Sequence, residues 1–306
     1  MSMNPLYLDT ARLLTQVAPH VFVDDTFALK GGTAINLFLR DMPRLSVDLD
    51  LVFPDCTLPR AEALERISEG IRQAAERLRR RGFQTHAPMA GAGETKLLVR
   101  RGAIQVKVEV NVVMRGTVLP VRRISLRPAA RDVLMADLEL PVLSLEDLYG
   151  GKLVAALDRQ HPRDLFDVMQ LLAHEGITPG IRRAFVVYLC CGNRPIHEIL
   201  FAPPRDIQYD YTYNFQGMTA EPVSLEALMS ARTQMMDVLR QGLDDDERQF
   251  LMSVVTAEPD WSLLGIEHLA QLPGIRWKLQ NLAQLRRADR RKFAAQAEQL
   301  SRLLAR

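Results

Sequence analysis

The stretch 29–53, LKGGTAINLFLRDMPRLSVDLDLVF, decides how the rest of the chain is interpreted. It contains a Gly-Gly-Thr turn, a short helical run, and then two aspartates one residue apart, Asp48 and Asp50. Side chains two positions apart in a β-strand lie on the same face, so SVDLDLVF predicts that both carboxylates project together. The residues that alternate with them and point into a core are Val47, Leu49, Leu51 and Phe53.

Two neighbouring carboxylates repel each other unless a cation lies between them. Hard oxygen ligands of this kind suit Mg²⁺ (or Mn²⁺), and Mg²⁺ is usually bound through one or two carboxylates plus substrate phosphates. Gly31 and Gly32 have no Cβ and let a backbone approach a ligand closely. Thr33 adds a hydroxyl, and the N–H groups of the following helix, AINLFLR, can face a phosphate. Either half alone is more often structural, but their combination favours a metal and nucleotide site.

This stretch resembles the signature of the DNA polymerase β-like nucleotidyltransferase superfamily, in which a glycine turn opens a helix that leads to a strand with Asp-x-Asp. More narrowly, it is similar to the AbiEii/AbiGii toxin branch, related to the MenT-type tRNA nucleotidyltransferase toxins. Members of that branch read Leu-Lys-Gly-Gly-Thr-Ala and then Arg-x-Ser-x-Asp-Leu-Asp. The resemblance implies a metal site at Asp48 and Asp50. It also implies nucleotide binding by the motif residues Lys30, Gly31, Gly32, Thr33 and Ser46.

A second match lies in a predicted pair of helices, 144–159 and one that begins near Pro162 and ends at Gly176. Family members carry a lysine in the first helix and Arg-Asp-Leu-Tyr/Phe-Asp in the second, which here are Lys152 and the run 163–167. The resemblance implies that Lys152 and Asp167 are essential, with Lys152 neutralising the triphosphate. Asp164 and Asp167, three positions apart, share a helix face. Taken without the upstream aspartates, these residues would indicate only an ordinary ion pair on a helix face.

Glu109 is the candidate third carboxylate of the metal site. Residues 95–101 and 103–113 predict two strands joined as a hairpin at Gly102. In the second strand the valines face one way, and Gln105, Lys107, Glu109 and Asn111 face the other. A polymerase β-like site needs a third carboxylate from a neighbouring strand, and Glu109 is the acidic residue of this strand pair. Glu109 is equally explained as a solvated strand residue.

The composition is that of an ordinary globular protein of 306 residues, with 47% hydrophobic and 25% charged residues. A net charge of +2 gives no global preference for nucleic acid. The three cysteines, at 56, 190 and 191, form no CxxC pair, which excludes a disulfide framework or zinc site and fits a reducing cytosol. We see no signal peptide and no apolar run of about 20 residues, so the expectation is a cytoplasmic protein without a membrane partner.

The pattern along the chain predicts an α+β fold with two domains. Residues 1–140 are expected to form a nucleotidyltransferase domain with a mixed sheet and flanking helices such as 5–18 and 60–81. Residues 141–306 are expected to form a mostly helical domain that completes the active site. Within it, 177–222 contains stretches that look irregular, whereas DERQFLMSVV, WSLLGIEHL and the C-terminal run look helical.

Three charged groups have two explanations each. Arg79–Arg81 are best explained as basic residues at a helix C-terminus. His197 and Glu198 are more simply a packed loop than a metal or acid–base pair. The segment 286–292 carries five basic residues, Arg286, Arg287, Arg290, Arg291 and Lys292, which either track a phosphate backbone or end a solvated helix.

The expectation for function is therefore a Mg²⁺-dependent enzyme that transfers a nucleotide from an NTP. From the resemblance, the acceptor is a tRNA 3′ end and the protein is the toxin of a toxin–antitoxin or phage-defence pair that stops translation, with a cognate antitoxin as partner. Two alternatives stay open. One is the same chemistry on a protein or a small molecule. The other is a binding protein that has kept the fold and lost the chemistry.

Overall fold

The computed structural model describes residues 3–90 and 93–305, with backbone only at 89, 90, 93 and 94. The chain forms two compact units. Unit 1 comprises Met1–Ser144 and Phe215–Val223, and unit 2 comprises Leu145–Asn214 and Ser224–Arg306. The expectation of separate domains with a boundary near residue 140 stays a prediction.

Unit 1 contains one main sheet, a two-stranded ribbon and four helices within the described ranges. The strands are β1 Ala28–Lys30, β2 Asp48–Val52, β3 Gln84–His86, β4 Met89–Ala90, β5 Gly93–Glu94, β6 Lys96–Arg101, β7 Ile104–Val110, β8 Arg122–Ser125 and β9 Glu139–Val142. The helices are α1 Pro5–Val21, α2 Gly31–Thr33, α3 Arg60–Arg80 and α4 Pro128–Leu134, and α2 continues as a π-helix over Ala34–Leu39.

The main sheet has seven strands in the order β3-β6-β7-β2-β1-β9-β8. The pairs β2–β7 and β1–β9 are parallel, and the other pairs are antiparallel, so the sheet is mixed as the sequence predicts. The predicted hairpin is confirmed as β6–β7, with Gly102 at a positive φ of 61°. Strand β2 therefore lies at the centre of the sheet, between β1 and β7.

Alternation along the central strands sets the core. Leu49 and Leu51 of β2 and Val106 and Val108 of β7 are fully buried, as predicted. Helix α1 begins at Pro5, where the Asn4 side chain accepts a hydrogen bond from the Leu6 N–H, and it packs on β7 and α3. The apolar side of the sheet is thus covered, and the opposite faces of β2 and β7 are left to the charged residues.

The regular secondary structure of unit 2 is helical within its described residues. The elements are α5 Leu145–Asp158, α6 Pro162–Ala173, α7 Pro179–Cys190, α8 Ile196–Leu200, α9 Gln208–Asn214, α10 Leu225–Gly242, α11 Asp245–Val255, a 3₁₀ turn Leu269–Gln271, α12 Pro273–Ala288 and α13 Arg290–Leu304. Helix α5 crosses α7 closely, since a Cβ on Gly150 would lie 2.9 Å from the backbone of Ala184. Helices α6 and α10 pack together, and α13 contacts both α8 and α11.

Two sequence predictions are wrong here. The run WSLLGIEHL is a series of turns and not a helix, because its apolar residues lack a sustained helical period. Part of the stretch predicted to be irregular, CCGNRPIHEILFAPP, is helical, with α8 beginning just after Pro195. Proline is common where a helix begins as well as in loops, so Pro195 alone does not indicate an irregular segment. No described helix is long and apolar enough to cross a membrane.

Candidate active site

The register of β2 and β7 brings the predicted carboxylates together on one face. Asp50 pairs with Glu109 and Asp48 with Lys107 across the parallel ladder. On the other side of β2, strand β1 places Lys30 opposite Asp50. Because residues opposite each other in a ladder share a face, these five side chains form one charged surface at the centre of the sheet.

Glu109 is held by two lysines that the sequence analysis did not assign to the site. Its Oε1 lies 3.0 Å from Lys96 Nζ, and its Oε2 lies 3.0 Å from Lys107 Nζ. Burial would raise the pKa of Glu109, but the hydrogen bonds and charges of both lysines lower it below its ordinary value. Glu109 is therefore an ionised carboxylate that already has two partners.

Lys107 interacts electrostatically with all three carboxylates of this face. Burial would lower its pKa, but the hydrogen bond to Glu109 and the charges of Asp48, Glu109 and Asp50 raise it above its ordinary value. An ammonium group thus partly offsets the negative charge of this face.

The donor set at Asp48 and Asp50 fits a divalent cation. Two half-buried carboxylates on one strand face match the way Mg²⁺ is usually held, with substrate phosphates as the remaining ligands. Among residues 3–90 and 93–305, no three His, Cys, Asp or Glu residues group closely enough to hold a metal by themselves. A third ligand from Glu109 stays a prediction. His197 and Glu198 lie in helix α8 and not in a packed loop, and the Glu198 carboxylate pairs with Arg194. Their alternative role as a metal or acid–base pair stays a prediction.

The predicted glycine turn is the first turn of a helix. Gly31 has a φ of 75°, and a Cβ placed on it would lie 2.6 Å from Asp50 Oδ2. A Cβ on Gly32 would lie 2.7 Å from Arg44 Nη2. Gly31 is thus required by its close approach to a carboxylate and by its positive φ, whereas Gly32 lies close to a guanidinium group at the end of a flexible side chain.

Thr33 and Ser46 link this helix to the aspartate strand. The Thr33 hydroxyl lies 2.8 Å from the Ser46 hydroxyl and 2.5 Å from the Asp48 carbonyl oxygen. Both residues are buried, Thr33 at 1% and Ser46 at 7% exposure. Their first role is therefore to fix the distance between the glycines and Asp48.

Arg44 lies beside the glycine turn, a contact that the sequence analysis missed although Arg44 is the arginine of the Arg-x-Ser-x-Asp-Leu-Asp motif. Its side chain is buried against Gly32, and its Nη1 donates to the Leu45 carbonyl oxygen at 2.9 Å. A buried guanidinium beside the glycines adds positive charge where phosphate binding is expected.

Residues 215–223, far along the sequence, return to unit 1 and support this loop. The Leu45 N–H donates to Met218 O at 2.7 Å, and the Ala220 N–H donates to Pro43 O at 2.9 Å. Arg44 and Thr219 form an antiparallel bridge between these two bonds. The segment 215–223, which contains Phe-Gln-Gly-Met-Thr, thus braces the loop that precedes Asp48.

In unit 2, Lys152 lies in a buried ionic cluster. Its Nζ is 2.9 Å from Asp164 Oδ1 and 2.8 Å from Asp167 Oδ2. All three side chains are at most 6% exposed. The two aspartates share the inner face of α6, as their spacing predicts, and Lys152 reaches them from α5.

Asp164 connects this cluster to Arg159, which donates two hydrogen bonds to it, at 2.5 and 2.9 Å. Burial would raise the pKa of Asp164, but Lys152 and Arg159 hold it well below its ordinary value. The sequence analysis named Asp164 only as a neighbour on the helix face. In the sequence, only the three-residue spacing between Asp164 and Asp167 indicated that Asp164 belongs to this cluster. No sequence pattern indicated the contact with Arg159.

Comparisons with family profiles and with solved structures both give matches. The sequence profile of the family described as nucleotidyl transferase AbiEii toxin, type IV TA system, matches residues 12–281. A solved structure of MenT4, nucleotidyltransferase toxin Rv2826c from Mycobacterium tuberculosis H37Rv, superimposes with a TM-score of 0.60 over 90% of this chain and 94% of that chain. The two are 21% identical, so this likeness shows the fold. A comparison with curated protein sequences gives no match.

The family match covers most of the chain and includes the glycine helix, Asp48, Asp50 and the Lys152 cluster. The chain therefore belongs to the AbiEii family and is a nucleotidyltransferase toxin of a type IV toxin–antitoxin system.

Proposed function

We propose that this enzyme uses an NTP and Mg²⁺ (or Mn²⁺) to add a nucleotide to the 3′ end of a tRNA in the cytoplasm. The observation that carries the proposal is the pair Asp48 and Asp50 on one strand face, directly beside the helical Gly31–Thr33 segment. A divalent cation bound there would supply charge neutralisation of the phosphates and polarise the reacting oxygens. Asp48 and Asp50 would hold it.

The chain's own groups then bind and orient the triphosphate. Gly31, Gly32 and Thr33 would cradle it through the backbone N–H groups at the start of their helix. Arg44, whose guanidinium lies against Gly32, adds a positive charge at the same place. Lys30 and Ser46 flank these residues in the family motif and complete the proposed nucleotide-binding set.

The reaction is an in-line displacement at the α-phosphorus. The terminal ribose hydroxyl of the acceptor forms the new P–O bond, the bond to the β-phosphate oxygen breaks, and pyrophosphate leaves. Glu109 is ionised and lies beside Asp50, so it would help to deprotonate or to position the attacking hydroxyl. Its two lysines would fix its orientation.

The resemblance supports an essential role for Lys152 and Asp167. An ammonium group can neutralise the triphosphate as charge moves to the leaving group. The buried carboxylates of Asp164 and Asp167 hold that ammonium in one position. We propose that Lys152 is the cation of the reaction and that the two aspartates position it.

Modification of its 3′ end would keep a tRNA from being aminoacylated and so would stop translation. That outcome fits a toxin controlled by a cognate antitoxin, and it would serve phage defence.

The acceptor is tested by incubating the purified protein with Mg²⁺ and each α-labelled NTP in turn, in the presence of total tRNA, of total protein extract, or of neither. We expect label on tRNA, released by nuclease and not by protease. Label on protein or on a small molecule would contradict the tRNA proposal and would support the alternative acceptors. Absence of pyrophosphate release under all conditions would favour the non-catalytic alternative.

A further inference from the structure

The corner between α12 and α13 concentrates positive charge. Five basic residues in seven positions, all exposed, form what we call the basic corner: Arg286, Arg287, Arg290, Arg291 and Lys292. Asp289 is the acidic residue among them. Its carboxylate accepts the Lys292 backbone N–H at 2.8 Å, and so it serves as the cap of α13.

Four of these cations have no side-chain partner among the described residues. Arg286 is the exception, with Glu258 Oε1 at 3.4 Å and the Phe293 ring centroid 5.7 Å from its Cζ. In contrast, two of the exposed arginines of α3 have local acidic partners, Arg66 with Glu62 and Arg72 with Glu69. The basic corner therefore presents unneutralised charge to the surroundings.

The charge of the corner differs from that of the rest of the chain. The whole sequence has 39 basic and 37 acidic residues. Five of the basic and one of the acidic residues lie within 286–292, which leaves 34 basic and 36 acidic residues elsewhere. A slight net negative charge outside the corner means that a polyanion would be attracted here by local and not global charge.

The surroundings of the corner favour a phosphate backbone over a protein partner. Protein–protein interfaces need a desolvated centre of apolar or aromatic residues and are depleted of unpaired charges there. The large exposed hydrophobic residues of the described chain all lie outside 273–304. Guanidinium and ammonium groups without large exposed hydrophobic residues around them match the chemistry of nucleic-acid phosphates.

Both helices are anchored from their buried sides, so the corner is a fixed feature. Lys278 of α12 is buried and donates to the carbonyl oxygens of Gly192 and Arg194. Leu282 and Leu300 are buried on α12 and α13. The basic side chains therefore project from a rigid helix pair, which reduces the entropy lost when a ligand is bound.

We propose that the basic corner binds the phosphate backbone of the RNA acceptor. This inference rests on the proposed function, because it assigns a binding surface to the substrate named there. It predicts contacts that are independent of base sequence and strongly dependent on salt.

The test measures binding of total tRNA to the full-length protein without NTP, at several salt concentrations. The variant Arg290→Gln/Arg291→Gln removes two charges of the corner. The matched control is Arg80→Gln/Arg81→Gln, an adjacent pair of exposed arginines at the end of α3. A third variant, Arg290→Lys/Arg291→Lys, keeps the charge.

We expect the corner variant to bind tRNA about tenfold more weakly at 0.1 M salt, with a slope of log K against log salt that is shallower by about two. The control and the lysine variant should bind like the wild type. Equal losses in the corner and control variants, no loss in either, or no tRNA binding by the wild type would each overturn the inference. An acidic protein partner that binds the wild type but not the corner variant, with tRNA binding unchanged, would also overturn it.

The same experiment separates this inference from the proposed function. Loss of tRNA binding in the corner variant, combined with no nucleotide transfer by the wild type, would refute the proposed function alone. Transfer to tRNA with unchanged binding in the corner variant would refute the inference alone.

Discussion

Gly31 and Asp50 are in contact across the first turn of a helix and the adjacent strand: a Cβ on residue 31 would lie 2.6 Å from the Asp50 carboxylate. The glycine is therefore required by the position of the carboxylate as well as by its positive φ of 75°. Any side chain at 31 would push Asp50 away from the place where it would hold a cation.

Gly31→Ala should therefore lower nucleotide transfer by at least about 100-fold, since a displacement of about 1 Å in a reacting group can have that effect. Gly102→Ala is the matched control, because Gly102 also has a positive φ but nothing lies within 4 Å of its Cβ position. Its backbone strain is similar, so it should lose stability and keep its transfer activity. Equal activity in the two variants would contradict the close-approach argument.

Gly32→Ala tests the same relationship through Arg44. The new methyl would meet Arg44 Nη2, the far end of a flexible side chain, so the fold should survive with the guanidinium displaced. We expect a higher KM for the NTP and a smaller change in kcat, measured by steady-state transfer. A fall in kcat at unchanged KM would show that Arg44 does not contribute to nucleotide binding.

Lys152→Met should destabilise the protein by about 3–5 kcal/mol, because it removes the buried ammonium group that pairs with Asp167 and, beside Arg159, with Asp164. Asp167→Asn should be milder, since Lys152 keeps Asp164. Urea unfolding gives both values. Arg66→Met, which breaks the exposed pair with Glu62, is the control and should shift stability by less than about 1 kcal/mol. A Lys152→Met protein as stable as that control would rule out the buried cluster.

The Asp164 carboxylate should make stability depend on pH. Its pKa in the folded protein lies well below the ordinary value of 3.8, so its stabilisation is present above that value and is lost as the pH falls below it. The difference in unfolding free energy between the wild type and Asp164→Asn should be constant from about pH 7 to pH 5 and then shrink. A difference that grows on acidification would mean that the pKa is raised instead.

The cysteines should differ in reactivity. Burial raises the pKa of Cys190 to about 12 and also raises that of Cys191, and both side chains are inaccessible. At pH 8 a thiol reagent should modify Cys56 alone in the folded protein and all three cysteines in urea. Mass spectrometry of the modified peptides checks this, and early labelling at 190 or 191 would contradict the packing of α7.

The parts of the fold that are visible in the sequence are those with a local pattern. The alternation of apolar and polar residues predicts which side chains of β2 and β7 share a face of the sheet, and Gly102 predicts the hairpin. The structure confirms both predictions. The turns at 261–268 and the helix α8 were misjudged because short apolar runs and single prolines are ambiguous.

The parts of the site that were missed depend on contacts between distant residues. The pairing of Glu109 with Lys96 and Lys107 follows from strand register, which a single sequence does not reveal. The brace formed by residues 215–223 comes from another part of the chain altogether. The sequence shows Asp164 only as a neighbour of Asp167 on one helix face. Its pairing with Lys152 depends on the packing of two helices that buries both side chains.

The most direct test of the central claim is transfer by Asp48→Asn beside Asp132→Asn. The first variant removes one charge of the proposed metal site and keeps the shape of the side chain, whereas Asp132 is an exposed residue of α4. The readout is the mass of the tRNA 3′ fragment after incubation with NTP and Mg²⁺. We predict a gain of one nucleotide or more with the wild type and Asp132→Asn, and no gain with Asp48→Asn. Undiminished extension by a folded Asp48→Asn protein would contradict the assignment of the active site.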